Sequence, residues 1–387
     1  MTTDMSATSL VWEPELSRAD AAWRDLARRL TADHFAPLAA EIDRDQRYPW
    51  ESVAQLANHR LTGMFLPQAY GGEGASLTAA CAVAEEISRG CAATCTVWMS
   101  YVVGAMPLLL AGTEDQRKRF LTEVAAGQGI SFALTERHTG SDASKVVTSA
   151  TREGSGWRLR GEKWMVGNGG PSRFYTVFAR IDGDDRLTAF LVDREEGGVV
   201  IDDSMDKMGL RGATTTNLRL DCLVPEDNQL GDRGRGLSIA LRSLSTGRIL
   251  AAGQACGISL GVFEEAARHA NRREAFGQPI VDFQGIGFRL VDVLTELSAA
   301  RLMTYEAARQ YDRGNTPREL ASMAKLYASE AAHRAVHAAV QVLGAAGYAK
   351  PNAVERAYRD QRVLEIYEGS SEIQRLTLSR AIKKSYA

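Results

Sequence analysis

The 387-residue chain has only five cysteines and ten prolines, and its charge is nearly balanced, 46 basic against 48 acidic residues for a net −2. Each scarcity excludes something. Cys81, Cys91, Cys95, Cys222 and Cys256 are too few and too scattered for a disulfide scaffold, which fits a reducing cytoplasm. Cys91 and Cys95 can share a helix face, but no second cysteine pair has metal-site spacing, so no metal is expected. The missing basic excess argues against a nucleic-acid partner. Residues 1–14 hold Asp4 and Glu13 and no basic n-region, so no secretory leader is read there. There is no phosphate-loop motif, no strand-borne Gly-x-Gly-x-x-Gly and no His-Glu-x-x-His. Internal repeats and low-complexity tracts are also absent. What remains is 45% hydrophobic and 24% charged, a globular composition long enough for two or three domains of ~150 residues.

One run without charge, residues 90–113, raises the question of a membrane span, since ~20 apolar residues cross a bilayer. Thr94, Thr96, Ser100, Gly104 and Pro107 interrupt it. A buried helix is the reading, with no membrane contact. Trp98, Met99 and Tyr101 in this run either line a pocket or simply pack in the core.

Three regions differ in period. Residues 1–128 are read as a helical domain, with Trp23, Leu26, Ala27 and Leu30 on one face. Thr113 with Gln116 forms a capping box that opens a helix over residues 114–124. Residues 129–233 carry short β-prone runs separated by Gly, Asp and Ser turns, which reads as a β-barrel or sandwich. Residues 234–387 are helical again, in segments 238–271, 284–313, 317–343 and 352–384. Their lengths and short linkers suit an antiparallel four-helix bundle.

Several motifs could carry chemistry. Gly257-Ile258-Ser259-Leu260-Gly261 has the nucleophile-elbow spacing but lies inside a helix, where close packing explains it better. His333 and His337 share a helix face with Glu330, which suits a metal or a plain packed face. Near the C-terminus, Gly369 breaks a helical pattern, and Ser371 with Gln374 reads as a capping box that restarts it. Glu368 would sit in that break. Desolvation there would raise its pKa toward neutrality and suit a general base; spacing alone favours an ordinary surface carboxylate. The segment from Leu134 to Asp142 gathers hydroxyls, a glycine and backbone donors, fit for a phosphate or a structural turn. Arg272 and Arg273 fit either a helix C-terminus or a pyrophosphate.

Five motifs, in order, resemble the acyl-CoA dehydrogenase family: Gly247-Arg248, Arg273-Glu274-Ala275-Phe276-Gly277, Gln341-Val342-Leu343-Gly344, Tyr358-Arg359-Asp360 and Ile366-Tyr367-Glu368-Gly369. The resemblance covers nearly the whole chain and looks closest to the short-chain, butyryl branch. It implies FAD and a short acyl thioester carried on CoA or on an acyl carrier protein. Glu368 would remove the α-proton, and the β-hydrogen would leave as hydride to flavin N5, giving the trans-2-enoyl thioester. The base that some branches keep on the segment from Ser245 to Arg248 is here Gly247, which cannot serve. A flavin ribityl hydroxyl and the Glu368 N–H would polarise the thioester oxygen.

The resemblance also implies binding positions. Phe132, Leu134, Thr135, Gly140 and Ser141 would follow the flavin and its pyrophosphate. Met165, Val166 and Gly167 would lie beside the ring. Arg273, Phe276, Gln284, Gln341, Gly344 and Ala345 would reach the FAD of a neighbouring subunit, which implies a homo-oligomer, a tetramer or a dimer. Ser370 and Glu372 would close over the adenosine. Ser141, Ser245, Gly247, Arg248, Tyr367 and Gly369 would touch substrate. An electron-transfer flavoprotein is the implied acceptor.

Three departures stand out. Arg137-His138 replaces the usual Pro-Gly; Trp164 precedes Met165-Val166-Gly167, so the side-chain hydroxyl for flavin N5 is missing; and Gly344-Ala345-Ala346-Gly347 replaces a Gly-Gly-x-Gly. Such variation is similar to secondary-metabolism relatives that act on carrier-bound acyl groups. A flavin oxidase or oxygenase, or a non-catalytic scaffold, are the competing readings.

Overall fold

The structure is a computed structural model and describes residues 10–387; Asp4 and the rest of residues 1–9 lie outside it. The N-terminal part is helical: α1 (Arg18–Leu30), α2 (Ala36–Asp45), α3 (Trp50–Asn58), α4 (Leu77–Gly90), α5 (Ala92–Ala111) and α6 (Glu114–Ala125). α5 follows the uncharged run and is apolar on every face, which is the signature of a helix buried all round. It is the one described helix long and apolar enough to cross a membrane, and 78% of its apolar window is buried inside the protein. α6 begins at the Thr113 cap, whose side chain accepts from the Gln116 N–H while Gln116 returns a bond to the Thr113 N–H.

The middle part is one eight-stranded mixed sheet of β1 (Ile130–Ala133), β2 (Ser149–Glu153), β3 (Gly156–Gly167), β4 (Phe174–Ile181), β5 (Leu187–Asp193), β6 (Val199–Ile201), β7 (Thr215–Pro225) and β8 (Gln229–Leu230). The order is β6-β7-β3-β2-β4-β5-β8, with β1 parallel to β4. β7 alternates buried and exposed along its length, as a strand with one wet face should. The β3–β7 ladder is interrupted between Lys163 and Val166. Bulges re-aim side chains, and this one leaves Met165 exposed at φ 58°.

The C-terminal part is built on α7 (Gly236–Arg272), followed by the hairpin β9 (Glu274–Ala275) and β10 (Gln278–Pro279), α8 (Gln284–Asp312), α9 (Arg318–Leu343), the single turn α10 (Ala345–Tyr348), α11 (Ala353–Gln361) and α12 (Ser371–Ser385). The fourth expected helix is therefore two. A 3-10 turn over Arg362–Glu365 and the left-handed residues Glu368 and Gly369 separate them.

α7 is about 55 Å long at 1.5 Å per residue. Its glycines bring α4 close. A Cβ on Gly257 would stand 2.1 Å from the Glu85 carbonyl oxygen, and one on Gly261 would stand 2.5 Å from that of Arg89. The Gly257–Gly261 spacing is thus helix packing. Two ties fasten the middle part to α11: the Leu210 N–H donates to Asp360 Oδ1 at 2.6 Å, and Arg359 donates to the Met208 carbonyl at 3.2 Å. Arg359 also pairs with Asp43 of α2 at 2.6 Å, which joins the two helical parts.

Candidate active site

The helical pattern fails at Tyr367-Glu368-Gly369-Ser370, and the structure shows how. Glu368 and Gly369 have φ of 55° and 89°. A left-handed glutamate costs of order 1–3 kcal/mol and persists only where its surroundings hold it. The cap that follows is Ser370, not Ser371: the Ser370 hydroxyl accepts from the Ile373 N–H. Two left-handed residues turn the chain early, so Ser370 takes the extended cap conformation and Ser371 is already helical. Gln374 is no capping partner either. Its side chain donates back to the Glu368 carbonyl at 3.2 Å and the Gly369 carbonyl at 2.8 Å.

This turn aims the Glu368 carboxylate at α7. A Cβ on Gly247 would lie 2.2 Å from Glu368 Oε2, so the carboxylate fills the space that any side chain at 247 would need. The residue as a whole is half-buried, but its Oε2 is shielded and accepts no hydrogen bond in the protein. Burial pushes the pKa up to about 7, while Arg248 and Lys325 pull it back. The Glu368 N–H likewise has no acceptor among the described residues. A shielded carboxylate poised near neutrality, beside a free N–H donor, is equipped to take a proton from carbon and to hydrogen-bond the oxygen that gains charge.

Behind Glu368, the Tyr367 hydroxyl donates to Gln254 Oε1, and Gln254 Nε2 donates to the Ala92 carbonyl at 3.0 Å and to Thr96 Oγ1 at 2.8 Å. Gln254 is seven residues from Gly247, so it stands on the same stripe of α7 about 10 Å away. Trp98, Met99 and Tyr101 are buried in core clusters, with the Trp98 indole bonded to the Leu61 carbonyl and the Tyr101 hydroxyl to that of Gly127. The half-buried positions of this part of α5 are Thr96 and Ser100.

The positions expected around the flavin fall into two groups. In the first, the Trp164 N–H donates to the Thr135 carbonyl at 2.8 Å, and Ser131 Oγ donates to the Gly167 carbonyl at 2.9 Å. These bonds join the segment of Phe132, Leu134 and Thr135 to that of Met165, Val166 and Gly167. Gly140 and Ser141 lie on the exposed loop just beyond. Buried Glu136 anchors that loop by accepting from the Val147 and Thr148 N–H groups and from Lys163 at 2.8 Å. In the second group, Arg273, Phe276, Gln284, Gln341, Gly344 and Ala345 are all exposed, and no hydrogen bond or ion pair joins them to the first. Phe276 is 98% exposed. Ser370 is half-buried and Glu372 exposed on α12, while Ser245 is half-buried on α7.

The residues fit FAD. Met165 offers an open apolar surface, Arg273 has no ion pair among the described residues, and side chains added at Gly140 or Gly344 would meet no atom within 4 Å. An extended, phosphate-bearing aromatic ligand needs such surfaces, an unpaired cation and approachable backbone. The five cysteines are free and buried, and no His, Cys, Asp and Glu cluster suited to a metal occurs among the described residues. His333 instead faces Gln361 and Glu365. Lys325 and Gln254 were not singled out by any sequence signal.

The chain resembles known proteins along almost its whole length. Family models for the acyl-CoA dehydrogenase N-terminal, middle and C-terminal domains match residues 17–128, 131–223 and 234–383. An acyl-CoA dehydrogenase of Bacillus subtilis is 39% identical, covering 92% of this chain and 95% of that one. The short-chain specific mitochondrial acyl-CoA dehydrogenase of Bos taurus is 38% identical over 96% of this chain and 92% of its own. The structure of butyryl-CoA dehydrogenase from Megasphaera elsdenii superposes with a TM-score of 0.93 at 31% identity, over 96% of this chain and all of that one. That of the prolyl acyl carrier protein oxidase AnaB gives 0.91 at 27%, over 95% of this chain and all of that one. The chain belongs to the acyl-CoA dehydrogenase family of FAD-dependent oxidoreductases, whose reaction is the dehydrogenation of acyl-CoA.

Proposed function

We propose that the protein converts a short acyl thioester to its trans-2-enoyl thioester, with Glu368 as the base. The observation that carries this is the seat of the carboxylate: Oε2 shielded, unbonded and filling the gap at Gly247. Glu368 takes the pro-chiral α-proton, and the Glu368 N–H hydrogen-bonds the thioester oxygen as charge moves onto it. FAD, when bound, supplies the acceptor for the β-hydride. Gly247, Arg248 and Ser245 on α7, Ser141 on its loop, and Tyr367 and Gly369 beside the base hold the substrate in line.

The two flavin groups are not joined within one chain, which supports a homo-oligomer whose second copy brings Arg273, Phe276, Gln284, Gln341, Gly344 and Ala345 to the first copy's flavin. Ser370 and Glu372 would lie along the adenosine side. Buried, unpaired cysteines support a cytoplasmic protein. The electrons would pass to an electron-transfer flavoprotein. An oxidase reading has one observation in its favour: a Cβ on Gly167 would meet nothing nearer than Ser100 Oγ at 4.0 Å, which leaves room for dioxygen.

The test mixes purified protein anaerobically with short acyl-CoAs and with the same groups on a carrier protein, follows the flavin absorbance and identifies the product. Bleaching with a 2-enoyl thioester as product is the expected result, and the carrier that works identifies the substrate class. Slow reoxidation in air with fast reoxidation by an electron-transfer flavoprotein supports a dehydrogenase; fast reoxidation in air supports an oxidase. A yellow protein that bleaches with neither carrier would overturn the reading.

A further inference from the structure

Two lysine side chains are fully buried, and their surroundings differ. Lys163 pairs with Glu136 at 2.8 Å. Lys325, on α9, has no carboxylate within ion-pair distance among the described residues. Its Nζ donates to the Gly369 carbonyl at 2.7 Å. An ammonium buried without a counter-ion is costly, and a methionine would fill similar space without that cost. The charge therefore calls for a use.

Its position supplies one. Arg248 Nε from α7 donates to the Glu368 carbonyl at 3.4 Å, and Gln374 from α12 donates to the carbonyls of both Glu368 and Gly369. Side chains from α7, α9 and α12 thus grip two consecutive carbonyls of a left-handed turn. Two of the three donors are cations, and both bond backbone carbonyls of this turn, Arg248 that of Glu368 and Lys325 that of Gly369, rather than the Glu368 carboxylate. A cation on the carboxylate itself would occupy the lone pair needed to accept the proton. On the neighbouring carbonyl it still acts through its field.

We propose that Lys325 is a positioning residue for the reaction: through the Gly369 carbonyl it fixes the Glu368 turn, and with Arg248 it supplies the positive field that keeps the carboxylate ionised in a dry site. The proposal rests on the reading of Glu368 as the base. The charged groups facing this pair are Arg248 on α7, with Arg318 at the start of α9 acting on it, Glu365 on the 3-10 turn and Glu372 on α12. Burial lowers Lys325 to about 8, while Glu368, Glu365 and Glu372 hold its proton on against Arg248. Lys325 in turn lowers the pKa of Glu368. Removing its charge must move ionisation of the base to higher pH.

The experiment measures the rate of anaerobic flavin reduction by a short acyl thioester against pH, in the wild-type holoenzyme, Lys325→Met and Lys325→Arg. The expected result is an acid limb shifted up by about one pH unit in Lys325→Met, a loss of about tenfold in rate below that limb. Lys325→Arg restores the limb. If Lys325→Met does not fold, Lys325→Gln makes the same comparison, since it keeps a donor and drops the charge. A rate lowered by the same factor at every pH, with the limb unmoved, would overturn the proposal. A second readout needs no turnover: the infrared carboxyl band of the resting holoenzyme, assigned by its loss in Glu368→Gln, titrates at higher pH without the lysine charge. If no thioester bleaches the flavin, the functional reading falls, and the infrared titration still decides the role of Lys325.

Discussion

At the residue scale, the proposed function rests on one carboxylate and the glycine that makes room for it. Glu368→Gln keeps the shape of the side chain and removes the proton acceptor, so flavin reduction should fall by about 10²–10⁴-fold with the flavin still bound. Gly247→Ala acts through geometry alone. Its Cβ would stand 2.2 Å from Oε2, and a displacement of the base by about 1 Å is expected to cost about a hundredfold in rate. Folding stability should reveal the same group. The native pKa of about 7 lies above the ordinary 4.5, so the protonated form is favoured in the fold. Its contribution is fully present below pH 4.5 and is lost as pH rises through 7. Glu368→Gln should therefore equal wild type in denaturant at pH 4 and exceed it at pH 8, by at most about 3 kcal/mol for this partly solvated group. Equal stability at both pH values would count against a raised pKa.

At the scale of elements, the contact of α4 with α7 positions the helix that faces the base. Gly257→Ala drives a methyl into the Glu85 carbonyl and Ser88 Oγ, each 2.1 Å away. Overpacking of this kind is expected to cost about 1–3 kcal/mol in denaturant unfolding. What the sequence reveals here follows from range. The Thr113–Gln116 box is legible because both partners lie within one turn. The break at Gly369 is legible because glycine interrupts a strong period. The cap one residue off, at Ser370, is not, because it follows from Glu368 adopting a left-handed conformation that only tertiary contacts hold. Lys325 and Gln254 are silent for the same reason: each acts on a residue more than 40 or 100 positions away.

At the scale of the whole molecule, the second group of residues proposed for the flavin lies apart from the first within one chain. Arg273 is exposed and has no ion pair among the described residues, so if it reaches a neighbour's flavin as proposed, Arg273→Ala should leave folding unchanged and weaken FAD binding by about 10–100-fold, the worth of a charge-assisted bond. Flavin content after gel filtration, with the assembly's mass, checks this; a flavin-replete monomer would count against a shared site. The helical, β and helical regions were legible because their periods differ, whereas a contact between chains would leave no periodic mark.

The central claim is that Glu368, seated at Gly247, is the base. Its most direct test is the rate of anaerobic flavin bleaching by a short acyl-CoA from pH 5.5 to 9, in wild type and Glu368→Gln. Wild type should rise through about pH 7, and the variant should give a flat residual rate about 10²–10⁴-fold lower. The same pH-dependent rise in Glu368→Gln would contradict the account.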